Sequence, residues 1–238
     1  VLVDLPKNVL QGSAEFVWPE DVSLRSYNPT YRPNYAQIRK VVDALYNAER
    51  PLLFGGGGVI MSNASEEFRN LAKNLSIPVT CSLMGLGAFP CDHPQWLGMH
   101  GTYAANKAVS NADLLIAVGV RFDDRVTGRL SSFAPKATIV HIDIDPTSIH
   151  KNVNVRIPVV GDCRNSLIAI REHLAARGID PQVDGRRIKS VQFFDELLGG
   201  NAAPIVVAHN HVVQVQGGFP GLLSFWDACR RPVPGVVA

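Results

Sequence analysis

The sequence predicts an α/β fold, a doubly wound and mostly parallel sheet with helices on both faces. Two observations support this prediction. Five short runs between residues 36 and 177 are apolar throughout and do not alternate with polar residues, which is typical of strands buried on both faces. Segments with helical periodicity separate most of these runs. Right-handed crossovers between such strands place helices on both sides of the sheet.

The sequence of the first half of this domain predicts a helix, a strand and a second helix. The first helix has apolar residues at helical spacing and is ended by Pro51. The run PLLF then predicts a strand that leads into four glycines. Asn63 and Glu66 fit an N-cap and its capping-box partner, which predicts that a second helix begins there. The apolar positions are Ile38, Val41, Val42 and Leu45 in the first helix and Phe68, Leu71 and Leu75 in the second.

The second half predicts the other four strands and two further helices. The strands are the runs IPVTCS, DLLIAVGV, ATIVHIDID and VRIPVVGD. A helix through YAANKAVSNA precedes the second of these runs. Another helix, CRNSLIAIREHLAARG, follows the last run and is capped by Gly178. We predict that residues 83–101 form a loop. After residue 181 the pattern weakens, with one possible helix in IKSVQFFDELLGG and one possible strand in APIVVA.

Composition and charge exclude several classes of function. Lys and Arg number 23 and Asp and Glu 21, so a net charge of +2 gives no reason to expect a nucleic acid or membrane partner. The four cysteines have no metal-binding spacing, which predicts reduced thiols in a cytosol-like compartment. We find no catalytic triad, no metal-ligand cluster and no apolar stretch of the roughly 18 residues that a membrane span needs.

The predicted strands end in polar and glycine-rich segments that we expect at one edge of the sheet. In a parallel sheet the ligand crevice lies beyond the carboxyl ends of the strands. This predicts a site for a nucleotide-like ligand. The segments are Gly55–Gly58, Ser82–Leu86, Gly119–Arg125, Asp143–Asp145 and Gly161 with Asp162.

Each of these features has a functional and a structural interpretation. The glycine run suits a phosphate, or else a tight turn that needs positive φ. Asp143 is placed like a ribose-binding acid, or else forms a cap or turn, and Asp162 is favoured slightly as an N-cap. His100 lies in a loop between glycines, where a ligand can approach closely, or else is an ordinary surface histidine. The charged turn GVRFDDRVTG either binds a ligand through its guanidinium groups or forms surface ion pairs worth about 0–1 kcal/mol.

Six motifs together resemble the middle domain of the acetohydroxyacid synthase (acetolactate synthase) catalytic subunit, a family of thiamine-diphosphate enzymes. The motifs occur in the family's order, and the resemblance covers residues 1–177. They are LLFGGGGVI, PVTCSLMGLGAFPCDHP, LGMHGTYAAN, ADLLIAVGVRFDDRVTG, ATIVHIDIDP and IPVVGD.

The resemblance implies a Rossmann-like domain that binds FAD in an extended pose, with no net redox role for the flavin. The pyrophosphate and ribityl chain are expected along Gly56, Gly57 and Gly58, and the flavin end at Ser82, Leu83, Leu97, Gly98, Met99 and His100. The middle of the cofactor is expected at Gly119, Arg121, Asp123, Arg125 and Val126, and the adenosine at Asp143, Ile144, Asp162 and Cys163. Either Arg25 or Arg32 matches the family's arginine in the linker.

The resemblance also implies a larger enzyme. Residues 1–35 resemble the end of a pyrimidine-binding domain and a linker, 36–177 the FAD domain, and 178–238 a truncated or altered start of a diphosphate-binding domain. Thiamine diphosphate, Mg²⁺ and the catalytic residues are expected in the family's flanking domains, so we expect a fragment that is inactive alone. The implied substrates are 2-oxo acids. Homo-oligomers, a possible regulatory subunit and a cytoplasmic or organelle-matrix location are further expectations.

Three alternatives remain at this point. A glyoxylate carboligase is a close relative, but RFDDRVTG favours the synthase. A non-catalytic nucleotide-binding module and a nicotinamide-dependent oxidoreductase also fit a doubly wound sheet. The spaced GxGxxG that a nicotinamide enzyme carries after its first strand is absent from this sequence.

Overall fold

A computed structural model describes residues 4–18, 29–178, 196–197, 206–208 and 211–213. Residues 51–160 contain a six-stranded sheet in which every pair of neighbouring strands is parallel. The strand order is β3-β2-β1-β4-β5-β6, which confirms the doubly wound fold. The strands are β1 Pro51–Gly55, β2 Val79–Cys81, β3 Trp96–Met99, β4 Leu114–Val118, β5 Thr138–Asp143 and β6 Ile157–Val160.

Helices cover both faces of this sheet. The helices are α1 Lys7–Leu10, α2 Tyr35–Asn47, α3 Gly57–Met61, α4 Ser65–Asn74, α5 Tyr103–Asn111, α6 Asp124–Thr127 and α7 Cys163–Ala176. Side chains of α2, α4 and α7 share one buried cluster with the sheet. The α5 side chains share a second cluster with Phe54, Phe122 and other residues of the opposite face. The β-sheet therefore has a hydrophobic core on each side, as uniformly apolar strands require.

Helices α2 and α7 follow the general rules for apolar spacing and capping. The four apolar residues predicted for α2 are all buried, and the Asn34 side chain accepts a hydrogen bond from the Ala36 N–H at 2.8 Å. Asp162 caps α7 by accepting from the Asn165 N–H at 3.0 Å. Gly178 follows α7 with φ 66°, the left-handed conformation that ends many helices.

Strand β3 is a correction to the predicted loop over residues 83–101. This edge strand has only four residues and includes Gly98, so neither its length nor its propensity marks it in the sequence. Tertiary hydrogen bonds support it. The buried Gln95 side chain donates to the carbonyls of Ala72 and Ile77, both at 2.7 Å, and the Thr80 hydroxyl donates to the Gly98 carbonyl at 2.8 Å.

The predicted capping box at Asn63 and Glu66 is wrong. Helix α3, which the sequence analysis did not identify, ends just before Asn63. Asn63 has φ 52° and its N–H donates to the Ile60 carbonyl at 3.0 Å, so it forms the left-handed turn between two helices. The N-cap of α4 is Ala64, whose side chain makes no capping bond. The predicted apolar face of α4 is nevertheless buried.

The ends of the chain are described only in part. Residues 4–18 include α1 and are exposed throughout. Strands β7 Val206–Ala208 and β8 His211–Val213 pair antiparallel, and β7 falls in the predicted run APIVVA. Residues 196–197 are helical, but most of the predicted helix over 188–200, the rest of the tail and Arg25 lie outside the described residues. In the part of the chain that the structure describes, no helix is long and apolar enough to cross a membrane.

Candidate functional site

The carboxyl ends of β1 and β4 mark the point where the strand order reverses. These two strands are neighbours, with Gly55 opposite Val118, and β2 and β5 flank them on either side. The segments after β1 and β4 pack on opposite faces of the sheet, and in an open parallel sheet the ligand crevice lies outside this edge. The predicted site segments all follow the carboxyl ends of strands at this edge, which is the arrangement that the sequence analysis expected.

The glycine run after β1 is required by close backbone contact and does not need positive φ. Gly56 has φ −112°, which many residues adopt. A Cβ on Gly56 would lie 2.0 Å from the Gly119 carbonyl oxygen, and a Cβ on Gly58 would lie 2.6 Å from the Gly119 Cα. Gly119 itself has φ 60° and no room for a side chain. The predicted alternative of a positive-φ turn at Gly55–Gly58 is therefore wrong.

The amides of this run are only partly available to a ligand. The Gly56 N–H donates to the Val118 carbonyl at 2.9 Å, and the Gly58 N–H donates to the Gly119 carbonyl at 3.1 Å. These bonds join the segments after β1 and β4. The missing Cβ of Gly57 faces the other way, 3.1 Å from the Cβ of Met84. The glycines of this run are therefore explained by close packing against Gly119 and Met84, and the amides of Gly56 and Gly58 are used within the protein.

The charged turn after β4 presents an exposed guanidinium that is paired with a neighbouring carboxylate. The Arg121 side chain is 74% exposed, and its Nη2 donates to Asp123 Oδ2 at 2.8 Å. The other oxygen of Asp123 accepts from the Val126 N–H at 3.2 Å and so caps α6. The hydrogen bond from Arg121 is the main cause of a lowered pKa of the Asp123 carboxyl. Asp123 orients Arg121, and the exposed Asp124 accepts from the Arg125 N–H at 3.0 Å.

Phe122 anchors this turn between its charged neighbours. Its side chain is buried, although its φ of 49° lies in the left-handed region that side chains rarely adopt. The ring packs edge to face against Phe54, Phe133 and His141, with centroid distances of 6.4, 5.6 and 4.9 Å. Sequence analysis missed Phe122 because the letters RFDDR resemble a solvated turn. The aromatic residue among four charges was the available signal.

His100 faces the same segment from the end of β3. Its Nε2–H donates to the Val126 carbonyl at 2.6 Å, while Nδ1 is buried and has no partner among the described residues. Burial lowers the pKa of the imidazole, and the bond to Val126 opposes this effect in part. A cavity of about 300 Å³ adjoins the ring. Its lining includes His100, Asn106, Arg125, Arg129 and Phe133.

Burial of His100 predicts a loss of stability in mild acid. Its pKa is lowered in the folded protein, so the unfolded chain binds the proton more readily and the contribution to stability disappears as pH falls below about 6.5. His93, whose pKa is lowered mainly by burial, acts in the same direction. In urea unfolding at pH 7.5 and pH 5.5, His100→Gln is expected to lose less stability than the wild type. Equal losses would contradict this prediction.

Four predicted site residues lie at the end of β5 or in the segments after β5 and β6. The Asp143 side chain is 15% exposed, and its Oδ1 accepts from the Asp145 N–H at 2.9 Å. Ile144 is half-buried beside it, and Asp162 acts as the N-cap of α7. Cys163 is buried, and burial is the main cause of a pKa raised to about 12, so the thiol is protonated and is not a nucleophile. No group of three possible metal ligands occurs among the described residues.

The segments after β2 and at β3 are less uniform than predicted. Leu83 is exposed beside Met84, whereas Leu97 is buried in the core, so Leu97 offers only its backbone to a ligand. The Ser82 N–H donates to the Gly55 carbonyl at 2.9 Å, which holds this segment against the glycine run. Gly98 is buried with φ 94°, and Met99 is partly exposed at the strand end.

Comparison with known proteins identifies the family. The model of the thiamine pyrophosphate enzyme central domain matches residues 38–170, more than half of the chain. The chain belongs to the thiamine pyrophosphate enzyme family. It is 51% identical over 172 residues to the acetolactate synthase large subunit of Buchnera aphidicola from Schizaphis graminum, covering 70% of this chain and 30% of that protein.

Two other relatives give the same result. The acetolactate synthase isozyme 3 large subunit of Escherichia coli is 48% identical over 189 residues, covering 77% of this chain and 33% of the relative. The acetolactate synthase of Mycobacterium leprae is 49% identical over 184 residues, covering 75% and 29%. The resemblance to acetolactate synthase is thus confirmed, and the chain spans about a third of the length of these relatives.

Proposed function

We propose that this chain is the FAD-binding central part of an acetolactate synthase large subunit. Such an enzyme joins two pyruvates, or pyruvate and 2-oxobutyrate, in branched-chain amino-acid biosynthesis. The observation that carries the cofactor proposal is the exposed Arg121, paired with Asp123 in the turn after β4, where the strand order reverses. The half-identical relatives named acetolactate synthase support the activity of the whole protein.

The residues at this edge fit an extended dinucleotide that contains a flavin. Arg121 and Arg125 are exposed cations that would hold the pyrophosphate beside the Gly56–Gly58 segment. The Asp143 carboxylate at the end of β5 would accept from ribose hydroxyls. At the other end, the unpartnered Nδ1 of His100 and the exposed Leu83 offer an acceptor and an apolar surface to the flavin ring.

In this proposal, thiamine diphosphate and Mg²⁺ carry out bond formation between the two oxo acids. The residues that bind them are expected in the flanking domains of the family. The FAD takes no net redox part in this proposal. The described residues of this chain therefore bind and orient a cofactor and do not transfer protons to substrate. We further propose that the whole protein is a cytoplasmic or organelle-matrix homo-oligomer, with a regulatory subunit as a possible partner.

A flavin titration tests the cofactor proposal. The 238-residue chain is titrated into FAD while the flavin fluorescence is followed, and circular dichroism verifies that the chain is folded. We expect saturable binding with one FAD per chain that an equal concentration of NAD⁺ does not displace. A folded chain that leaves the flavin signal unchanged would overturn the proposal. Displacement by NAD⁺ would instead favour a nicotinamide enzyme.

A further inference from the structure

We propose that His141 and Asn152 are positioning residues for Arg121, holding the backbone of its turn so that the guanidinium faces the cofactor. The inference rests on the proposed function because the role of Arg121 is to bind FAD. It assigns a role to two residues that lie outside the predicted cofactor contacts. His141 lies in β5, and Asn152 lies in the segment between β5 and β6. Their side chains bind the carbonyls of Val120 and Phe122, the residues on either side of Arg121.

The contact from His141 comes from the core of the sheet. His141 lies in β5 and is fully buried. Its Nε2 lies 2.8 Å from the Val120 carbonyl oxygen, and because a carbonyl only accepts, Nε2 carries the proton. The same ring packs against Phe122 at 4.9 Å between centroids. One side chain therefore contacts the turn on both sides of Arg121, by a hydrogen bond and by an aromatic contact.

The contact from Asn152 comes from the segment between β5 and β6. Its Nδ2 donates to the Phe122 carbonyl at 2.7 Å, across a separation of 30 residues. The carbonyls of Val120 and Phe122 are thus both held by side chains from outside the turn. Arg121 lies between them, so its backbone is fixed on both sides.

The turn needs this support because its conformation is strained. A left-handed conformation is unfavourable for a non-glycine residue because its Cβ crowds the following carbonyl oxygen, and Phe122 adopts it with φ 49°. Without the two bonds, relaxation of Phe122 toward negative φ would rotate the peptides on either side and redirect the Arg121 side chain. Strain held in place by outside contacts is typical of ligand-binding segments.

Because Arg121 is exposed, the direction of its side chain can affect cofactor affinity without affecting the stability of the fold. Its pair with Asp123 is open to solvent, and such pairs contribute little to the stability of the fold. The direction of the guanidinium therefore has little effect on the free energy of unfolding. Under the proposed function it has a large effect on the affinity for the cofactor's pyrophosphate. A variant that loosens the turn is expected to lose more cofactor affinity than its stability explains.

Two matched substitutions on one segment test Asn152 in the 238-residue chain. Asn152→Asp keeps the shape and removes the donor, while Asn154→Asp adds the same charge at an exposed neighbouring position. The Kd for FAD is expected to rise about 5-fold in Asn152→Asp, the effect of losing roughly 1 kcal/mol of hydrogen bonding, and to stay within about 2-fold in Asn154→Asp. Equal effects of the two substitutions would overturn the inference.

A double-mutant cycle shows whether Asn152 acts through Arg121. If it does, adding Asn152→Asp to Arg121→Ala raises the Kd by less than about 2-fold. The full 5-fold loss in that background would overturn the positioning role.

For His141, Gln retains a donor that Met lacks, so His141→Gln is expected to bind FAD more tightly than His141→Met. A wild-type chain that does not bind FAD overturns the proposed function, whereas wild-type affinity in Asn152→Asp overturns this inference alone.

Discussion

Gly56→Ala is expected to destabilise the domain by about 3 kcal/mol or more, because the new methyl group has no space. Its Cβ would lie 2.0 Å from the Gly119 carbonyl oxygen and 2.7 Å from the Val120 Cα, and both neighbours are backbone atoms. Relief requires β1 and β4 to separate at their carboxyl ends, which also breaks the bond from the Gly56 N–H to Val118. Urea unfolding measures the loss.

Gly57→Ala is the matched control for this prediction. The Cβ of residue 57 meets only the Met84 Cβ within 3.4 Å, at 3.1 Å, and a shift of a few tenths of an ångström in the exposed segment at Leu83 and Met84 relieves this contact. Residue 57 also begins α3, where alanine is favoured over glycine by up to about 1 kcal/mol. We expect Gly57→Ala to unfold within about 1 kcal/mol of the wild type. Similar stability of the two alanine variants would show that β1 and β4 do not meet as described.

Arg121→Ala is expected to raise the Kd for FAD about 10-fold or more while the unfolding free energy stays nearly constant. A hydrogen bond to a charged group contributes about 1.5–3 kcal/mol, and each 1.4 kcal/mol is a factor of ten in affinity. The side chain is mostly exposed, so its removal leaves no cavity. Fluorescence titration and urea unfolding on the same preparation measure both quantities.

Arg156→Ala provides the control because Arg156 is exposed at the opposite edge of the sheet. Arg156 directly precedes β6, at the amino ends of the strands. Its replacement by alanine removes the same charge from the protein as Arg121→Ala does. We expect no more than about a 2-fold change in its Kd for FAD. Equal loss of affinity in both variants would mean that net charge, and not the turn after β4, determines cofactor binding.

The spacing of apolar residues in the sequence predicted the helices and strands whose formation depends on nearby residues. The apolar spacing of Ile38, Val41, Val42 and Leu45 predicted the buried face of α2, because a helix of period 3.6 must place those residues on one side. The uniformly apolar runs predicted a sheet covered on both faces. The edge strand β3 escaped prediction because Gln95 and Thr80 stabilise it through partners distant in sequence.

The candidate site was predicted as a set of segments and not as an arrangement of contacts. Parallel strand order places the segments at one edge, so their residue types were enough to propose a ligand. The close contact between Gly56 and Gly119 depends on which strands are neighbours, and strand order is not visible in the sequence. The same reason hid the bond from Asn152 to the Phe122 carbonyl, since a lone asparagine in a polar segment carries no signal of its partner.

Hydrogen–deuterium exchange with and without FAD tests the central claim most directly, because it shows both whether and where the cofactor binds. Slower exchange on addition of FAD is predicted for peptides that cover residues 82–86 and 119–128, at the carboxyl edge of the sheet. Peptides that cover 111–114, at the opposite edge, are predicted to exchange unchanged. Protection confined to the opposite edge, or no protection at saturating FAD, would contradict the assignment of this crevice as the flavin site.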